Sequence, residues 1–388
     1  MTITAPKGFR AAGIKAGIKA SGNPDFALVV NDGPSKAAAA VFTSNRVAAA
    51  PVHWSRQVVS DGRVDAVVLN SGGANACTGP QGFQNTHATA EKVAEVLGVS
   101  ASDVVVCSTG LIGEQLPMDK ILPGVDAAFA ELSEDGGSAA ATAIMTTDSV
   151  SKEAVFTGLD AEGKQFTVGG IAKGAGMLAP GLATMLVVLT TDAQVPADEL
   201  DVVLRDATRV TFDRADSDGC MSTNDTVVLL SSGASEALPS TEQLGAAVTQ
   251  VCAELARKLI GDAEGASHDI AIRTFNAASE RDAEIVSRSV ARSNLFKAAI
   301  FGKDPNWGRV LSAVGTTDAV FEADQLNVAM NGVQICRNGA IGDDRNLVDL
   351  EPREVLVEID LQAGDAEATI WTNDLTHDYV HENSAYSS

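Results

Sequence analysis

Thr184 is the residue around which chemistry can be built. It stands between two unlike stretches. Before it runs Gly170-Ile171-Ala172-Lys173-Gly174-Ala175-Gly176-Met177-Leu178-Ala179-Pro180-Gly181-Leu182-Ala183, and after it Met185-Leu186-Val187-Val188-Leu189-Thr190. Glycines and a proline favour loop geometry over the first stretch, and the second reads as a short buried strand. A hydroxyl at this junction can attack the carbonyl of Ala183. The chain then splits through an ester, and Thr184 becomes a new N-terminus. An N-terminal threonine carries nucleophile and base on one residue, because a free α-amine has a pKa of about 7.7–8.0 and can take the hydroxyl proton at neutral pH. The same pattern also describes an ordinary glycine-rich loop entering a core strand, which on spacing alone is the commoner case. A phosphate loop is excluded. Lys173-Gly174-Ala175-Gly176 lacks the Gly-x-x-x-x-Gly-Lys-Ser/Thr order, and no helical pattern follows.

Other stretches offer complementary groups. The strand expected over Val104–Cys107 stops at Ser108-Thr109-Gly110, where consecutive backbone N–H groups can converge on an oxyanion; a plain turn is the alternative. Ile144-Met145-Thr146-Thr147-Asp148 puts two hydroxyls and a carboxylate after a short apolar run. Asn70-Ser71-Gly72-Gly73-Ala74-Asn75 is small and polar and exposes backbone donors. Glu264, between small residues at a strand mouth, suits an ammonium group or a solvated turn. His377 and His381 have the spacing of a helical metal pair, but no third ligand is near.

The rest of the chain must position these groups. Strands are expected over Phe26–Val30 and Ala37–Phe42, joined by a polar turn, and over Ala66–Leu69, Val227–Leu230, Ile270–Phe275, Leu326–Met330, Val355–Leu361 and Ala368–Trp371. Helices are expected over His87–Leu97, Ala127–Leu132, Ala197–Phe212, Thr241–Ile260 and Ala283–Arg292. The glycine-rich stretch before Thr184 is the expected boundary. Hydrophobic residues make up 45% of 388, enough for a large core, and a net charge of −23 disfavours nucleic acid and anionic membranes as partners. Five scattered cysteines without a C-x-x-C indicate reduced thiols rather than zinc or a disulfide framework. Residues 1–20 contain no apolar core of a signal peptide, and no run reaches membrane-spanning length, so a cytoplasmic enzyme is expected.

Taken together these segments resemble the ornithine acetyltransferase family of arginine biosynthesis. The resemblance rests on Asn70-Ser71-Gly72-Gly73-Ala74-Asn75-Ala76-Cys77-Thr78-Gly79, Ser108-Thr109-Gly110-Leu111-Ile112-Gly113, Ile144–Asp148, Lys173-Gly174-Ala175-Gly176-Met177 and Ala183-Thr184-Met185-Leu186. It extends through Ser222-Thr223-Asn224-Asp225-Thr226, Asp304-Pro305-Asn306-Trp307-Gly308-Arg309 and Asp374-Leu375-Thr376-His377-Asp378-Tyr379-Val380, in family order over nearly the whole chain. The resemblance implies self-cleavage between Ala183 and Thr184 into an α chain (1–183) and a β chain (184–388). It implies an α/β fold, an αββα-type layered sandwich related to the N-terminal-nucleophile aminopeptidases, and an α2β2 heterotetramer or larger form. The implied reaction moves acetyl from N-acetylornithine to glutamate without metal or organic cofactor; some members also accept acetyl-CoA as donor.

By motif, the resemblance makes Thr184 the nucleophile and gives the oxyanion hole to the backbone groups of Thr109 and Gly110. It gives substrate binding to Thr147, Lys173, Thr184, Glu264, Asn383 and Ser388. One departure lies at Asp262-Ala263-Glu264-Gly265-Ala266-Ser267-His268, where the family commonly has Asp-Gly-Glu-Gly-Ala-Thr-Lys. Two rivals remain at this level. One is an aminopeptidase or amidase of the same architecture, in which water takes the acyl group. The other is a non-enzymatic protein whose loops bind a small anion.

Overall fold

Alternation of apolar side chains along short strands builds the core. The computed structural model describes residues 2–177 and 185–385. The chain forms two compact units, one holding the chain through Asp213 together with Cys220–Leu259, the other Arg214–Gly219 and the chain from Ile260.

The first unit contains β1 (Phe9–Ile14), β2 (Phe26–Asn31), β3 (Ala38–Phe42), α1 (Ala50–Val58), β4 (Ala66–Asn70), α2 (Gly79–Leu97), β5 (Val104–Ser108), α3 (Met118–Ala130) and α4 (Gly137–Ala143). After these come β6 (Lys152–Leu159), β7 (Gln165–Lys173), β8 (Leu186–Thr191), α5 (Ala197–Val210), β9 (Thr226–Ser231) and α6 (Thr241–Gly261). The strands form two sheets, ordered β1-β2-β4-β5 and β3-β9-β8-β7-β6.

In β2, Ala27 and Val29 point inward and Phe26, Leu28 and Val30 outward, as a period of two requires. Between the sheets Val29, Leu69 and Val105 share one core with Ile171, Val188 and Val228. Outside the first sheet, Leu28, Val68 and Val106 pack under Val93 of α2 and Val125 of α3. On the far side of the second sheet α5 runs along β3. There a Cβ on Gly170 of β7 would lie 2.9 Å from Leu255 of α6. The layers are therefore helix, sheet, sheet, helix: the αββα sandwich expected.

Two expectations change and a third gains detail. Gly170–Lys173, expected as loop, is the end of β7. Gly170 is there for close packing, since a Cβ would also come within 2.8 Å of Leu189. The strands expected on either side of the Asn31-Asp32-Gly33-Pro34 turn both form, but β2 and β3 lie in different sheets. The glycine-rich stretch is no boundary between the compact units, because β7 and β8 on either side of it pair antiparallel, with Lys173 opposite Leu186.

The second unit contains β10 (Asp269–Ala277), α7 (Glu280–Ala291), α8 (Asn294–Phe301), α9 (Trp307–Val314), β11 (Asn327–Met330), β12 (Val333–Arg337), β13 (Ala340–Ile341), β14 (Glu354–Asp360), β15 (Ala366–Asn373) and α10 (His377–Ala385). The sheet order is β13-β12-β11-β14-β10-β15. Val286 and Val290 of α7 and Val310 of α9 cover Ile270, Ile272, Val357 and Ile370. Asp304-Pro305-Asn306-Trp307-Gly308, one of the motifs of the resemblance, opens a helix. Asn306 caps α9 by accepting from the Arg309 N–H at 3.2 Å, and Trp307 packs against this core. His377 lies edge-on to Phe301, ring centroids 5.5 Å apart. Among the described residues no helix is long and apolar enough to cross a membrane.

Candidate active site

Sheet register assembles the first cluster. Antiparallel pairing places Lys152 of β6 opposite Ala172, next to Lys173 at the end of β7. Both lysine side chains are almost wholly buried. Lys173 Nζ donates to Thr146 Oγ1 at 2.7 Å and Thr109 Oγ1 at 3.3 Å, with Asp148 Oδ2 at 4.0 Å. Asp148 in turn accepts from Lys152 Nζ at 2.6 Å, from the Gly174 N–H at 2.6 Å and from the Thr146 N–H at 2.9 Å. Burial alone would raise the Asp148 pKa. The charges of Lys173 and Lys152 and these hydrogen bonds outweigh it and bring it to about 2.

The carboxylate is thus what lets two ammonium groups be buried together. Asp148→Ala removes one member of a buried charge pair and is expected to cost about 3–5 kcal/mol, read from denaturant melts. The pH dependence has a definite sign. A depressed carboxyl pKa gives stability that is present above the ordinary value of about 4 and is lost as pH falls towards 2. Wild-type stability should decline through that window and Asp148→Asn should flatten the decline; equal slopes would contradict the pairing.

The Thr109 region differs from the expected pair of backbone donors. The Thr109 N–H already donates to the Asn70 carbonyl at 3.0 Å, so it is not available to a substrate oxygen. What Thr109 offers beside Lys173 is its hydroxyl. Gly110 follows with φ 132°, and a Cβ there would lie 2.7 Å from the Gly73 nitrogen, which accounts for glycine. The Asn70–Asn75 segment, expected to present donors, is largely buried and self-satisfied: Asn70 Nδ2 donates to the Gly73 carbonyl and Asn75 Nδ2 to Gly82 and Thr86.

Thr109, Gly110, Thr147 and Lys173 all belong to the first unit, Thr147 half-buried between two residues of the lysine cluster. Ala183, Thr184 and Ser388 lie outside the described residues. Glu264 and Asn383 belong to the second unit and meet there, Asn383 Nδ2 donating to Glu264 Oε2 at 3.0 Å. Glu264 lines a cavity of about 300 Å³ with Asp218, Arg292, Lys297, Asp374 and Tyr379. Both charge signs face this space. Burial lowers the Lys297 pKa, against the pull of Asp218, Asp216 and Asp374. His268, at the family's usual lysine position, is buried with Nδ1 2.8 Å from Asp374 Oδ2 and fastens the Glu264 loop to the segment before α10.

The sequence singled out Lys173 and Thr147 but missed the contacts of Thr146, Asp148 and Lys152. The four-residue spacing of Asp148 and Lys152 was a visible signal, but it looks helical, whereas Lys152 opens a strand.

The ArgJ family model matches residues 10–388. The chain belongs to the ArgJ family. It is 67% identical over 388 residues to the arginine biosynthesis bifunctional protein ArgJ of Streptomyces coelicolor, covering all of both chains. It is 53% identical over 395 residues to the protein of that name in Bifidobacterium longum, again covering both fully. A solved ornithine acetyltransferase of Mycobacterium tuberculosis, complexed with ornithine, is 54% identical with a TM-score of 0.43, over 48% of this chain and 96% of that one. The resemblance read from the motifs is thereby borne out, and the ArgJ chain is an acetyltransferase of arginine biosynthesis.

Proposed function

We propose that this ArgJ chain cleaves itself between Ala183 and Thr184 and then transfers acetyl from N-acetylornithine to glutamate through an acetyl-Thr184 ester. The observation that carries the reading is the β7–β8 pair. Its register sets Leu186 opposite Lys173, so Met185, bonded to Thr184, comes to the same sheet edge as Lys173 and the hydroxyls of Thr109 and Thr146. Cutting at residue 184 leaves β7 and β8 paired, so fragments 1–183 and 184–388 stay together.

In the first half-reaction the Thr184 amine takes the hydroxyl proton as Oγ attacks the acetyl carbonyl. The Thr109 hydroxyl and the Gly110 N–H hold the oxyanion, each good donor contributing about 3–4 kcal/mol. Collapse breaks the C–N bond, and the proton passes from the α-ammonium to the departing ornithine amine. In the second, the neutral amine of glutamate attacks the ester carbonyl, its proton passes through the Thr184 amine to Thr184 Oγ as the C–Oγ bond breaks, and N-acetylglutamate is released. Lys173 and Thr147 take the substrate α-carboxylate, Glu264 the distal ammonium of acetylornithine, and Asn383 and Ser388 complete the contacts. This chemistry needs neither metal nor organic cofactor. Acetyl-CoA is the donor of a second activity, in line with the relatives' name. The assembly is α2β2 and cytoplasmic.

The test separates transferase from amidase. Purified protein given acetylornithine should release about one equivalent of ornithine per site and then stop until glutamate is added. Continuous acetate release without glutamate would instead favour the amidase reading.

A further inference from the structure

We propose that Asn224 and Asp225 are a positioning pair that fixes the nucleophile's strand relative to the oxyanion loop. The inference rests on the reading of Thr184 as nucleophile and goes beyond it, because neither residue carries a role in that chemistry.

Both side chains are buried in the first unit. Parallel pairing of β8 with β9 sets Leu186 beside Thr226, which puts Met185 at the level of Asp225. Asp225 Oδ1 accepts from the Met185 N–H at 3.0 Å. That N–H belongs to the peptide bond whose carbonyl is Thr184's own. The Thr226 N–H donates to the Met185 carbonyl at 3.2 Å, so the residue after the nucleophile is held on both sides.

Asn224 does the corresponding work on the other loop. Its Nδ2 donates to the carbonyls of Ala74, at 2.6 Å, and Ser108, at 2.7 Å. The Ser108 carbonyl and the Thr109 N–H are two ends of one peptide group, and the N–H is bound to Asn70. This plane is therefore clamped at both ends, which sets how the next N–H, that of Gly110, is presented. The amide itself is oriented by Thr223 Oγ1, which donates to Asn224 Oδ1 at 2.5 Å. The segment is anchored in turn by the Thr43 N–H on the Asp225 carbonyl and the Thr43 hydroxyl on the Ser222 carbonyl.

Two adjacent residues thus each grip a neighbour of a reacting group, one on the nucleophile side and one on the oxyanion side. A shift of about 1 Å in such a frame can cost about a hundredfold in rate without touching the substrate. Burial also pushes the Asp225 pKa well up, against the Met185 N–H bond and the hydroxyls of Ser222 and Thr43. Asparagine has the shape of this carboxyl and keeps an oxygen where Oδ1 accepts from the Met185 N–H.

That similarity supplies the test. Asp225→Ala, Asp225→Asn and Asn224→Asp are followed for self-cleavage by gel. Cleaved protein is assayed for kcat and KM with acetylornithine, beside thermal melts. Asp225→Asn keeps an acceptor for Met185 and should cleave within about tenfold of wild type, whereas Asp225→Ala should slow cleavage by about a hundredfold or more. Asn224→Asp loses both donated N–H groups. It should lower kcat about a hundredfold at a KM within about threefold of wild type.

Failure of Asp225→Asn to cleave while folded would overturn the positioning role, because an acceptor would not suffice. Wild-type cleavage and kcat in Asp225→Ala and Asn224→Asp would overturn it equally. If Asp225→Ala does not fold, Asp225→Asn and Asn224→Asp decide by the same criteria. A wild-type chain that is never cut at Thr184 would instead defeat the proposed function itself.

Discussion

Thr184→Ala is expected to leave a single uncut chain with no measurable acetyl transfer. The substitution removes the only group proposed to attack both the Ala183 carbonyl and the acetyl carbonyl. It also keeps the α-amine locked in a peptide bond. Loss of a nucleophile that acts as part of a unit costs on the order of a millionfold in kcat, which takes transfer to background. Thr184→Ser keeps the hydroxyl and should still cleave, more slowly. The readouts are a denaturing gel, N-terminal sequencing of the smaller fragments, and ornithine release. Transfer at wild-type rate by uncut Thr184→Ala would remove Thr184 from both steps.

The second large effect concerns the two charged anchors. Both amino-acid substrates carry an α-carboxylate, and only acetylornithine carries a distal ammonium. Lys173→Met should therefore impair use of both. Glu264→Gln should impair acetylornithine more than glutamate. Loss of a charge-assisted hydrogen bond is worth about 1.5–3 kcal/mol, or about ten- to more than a hundredfold in kcat/KM. The two variants differ in their side effects. Glutamine at 264 retains an oxygen for the Asn383 amide, so the local contact survives. Methionine at 173 strips Thr146 and Thr109 of their ammonium partner and leaves Asp148 to Lys152, so kinetics must be taken on protein shown to be folded and cleaved. Unchanged acetylornithine use by Glu264→Gln would contradict the ammonium assignment.

Much of the fold was legible in short apolar runs. Phe26–Val30, Ala66–Leu69, Val104–Cys107 and Val227–Leu230 all read as strands because both their faces are covered, and each proved to be one. The amphipathic α5 and α6 were equally plain. β7 was not, because Gly169 and Gly170 signal a loop when read locally. Their reason is tertiary: a Cβ on Gly169 would lie 2.5 Å from the Thr2 carbonyl oxygen, and one on Gly170 would strike Leu189 and Leu255. α8 and α9 were not anticipated: Asp304-Pro305-Asn306-Trp307-Gly308 reads locally as a turn, and it is the entry to a helix capped by Asn306.

The site was legible as residue types and illegible as partners. Lys173 and Thr109 are 64 residues apart, and their contact depends on two sheets stacking in one sandwich. The same holds for Asp225, which reaches Met185 only through parallel β8–β9 register. The two-donor oxyanion expectation at Thr109 and Gly110 missed that a strand-end N–H can bond back to its neighbour, here Asn70. A polar motif names groups that can react. Which of them are already satisfied is decided by residues far along the chain.

The most direct test of the central claim is intact-mass analysis of the cleaved protein, acid-quenched after brief exposure to acetylornithine without glutamate. The account predicts that the fragment beginning at Thr184 gains the mass of one acetyl group, that peptide mapping places it on Thr184, and that added glutamate removes it. Rapid turnover with both fragments unmodified, or an acetyl group on any other residue that glutamate discharges, would contradict it.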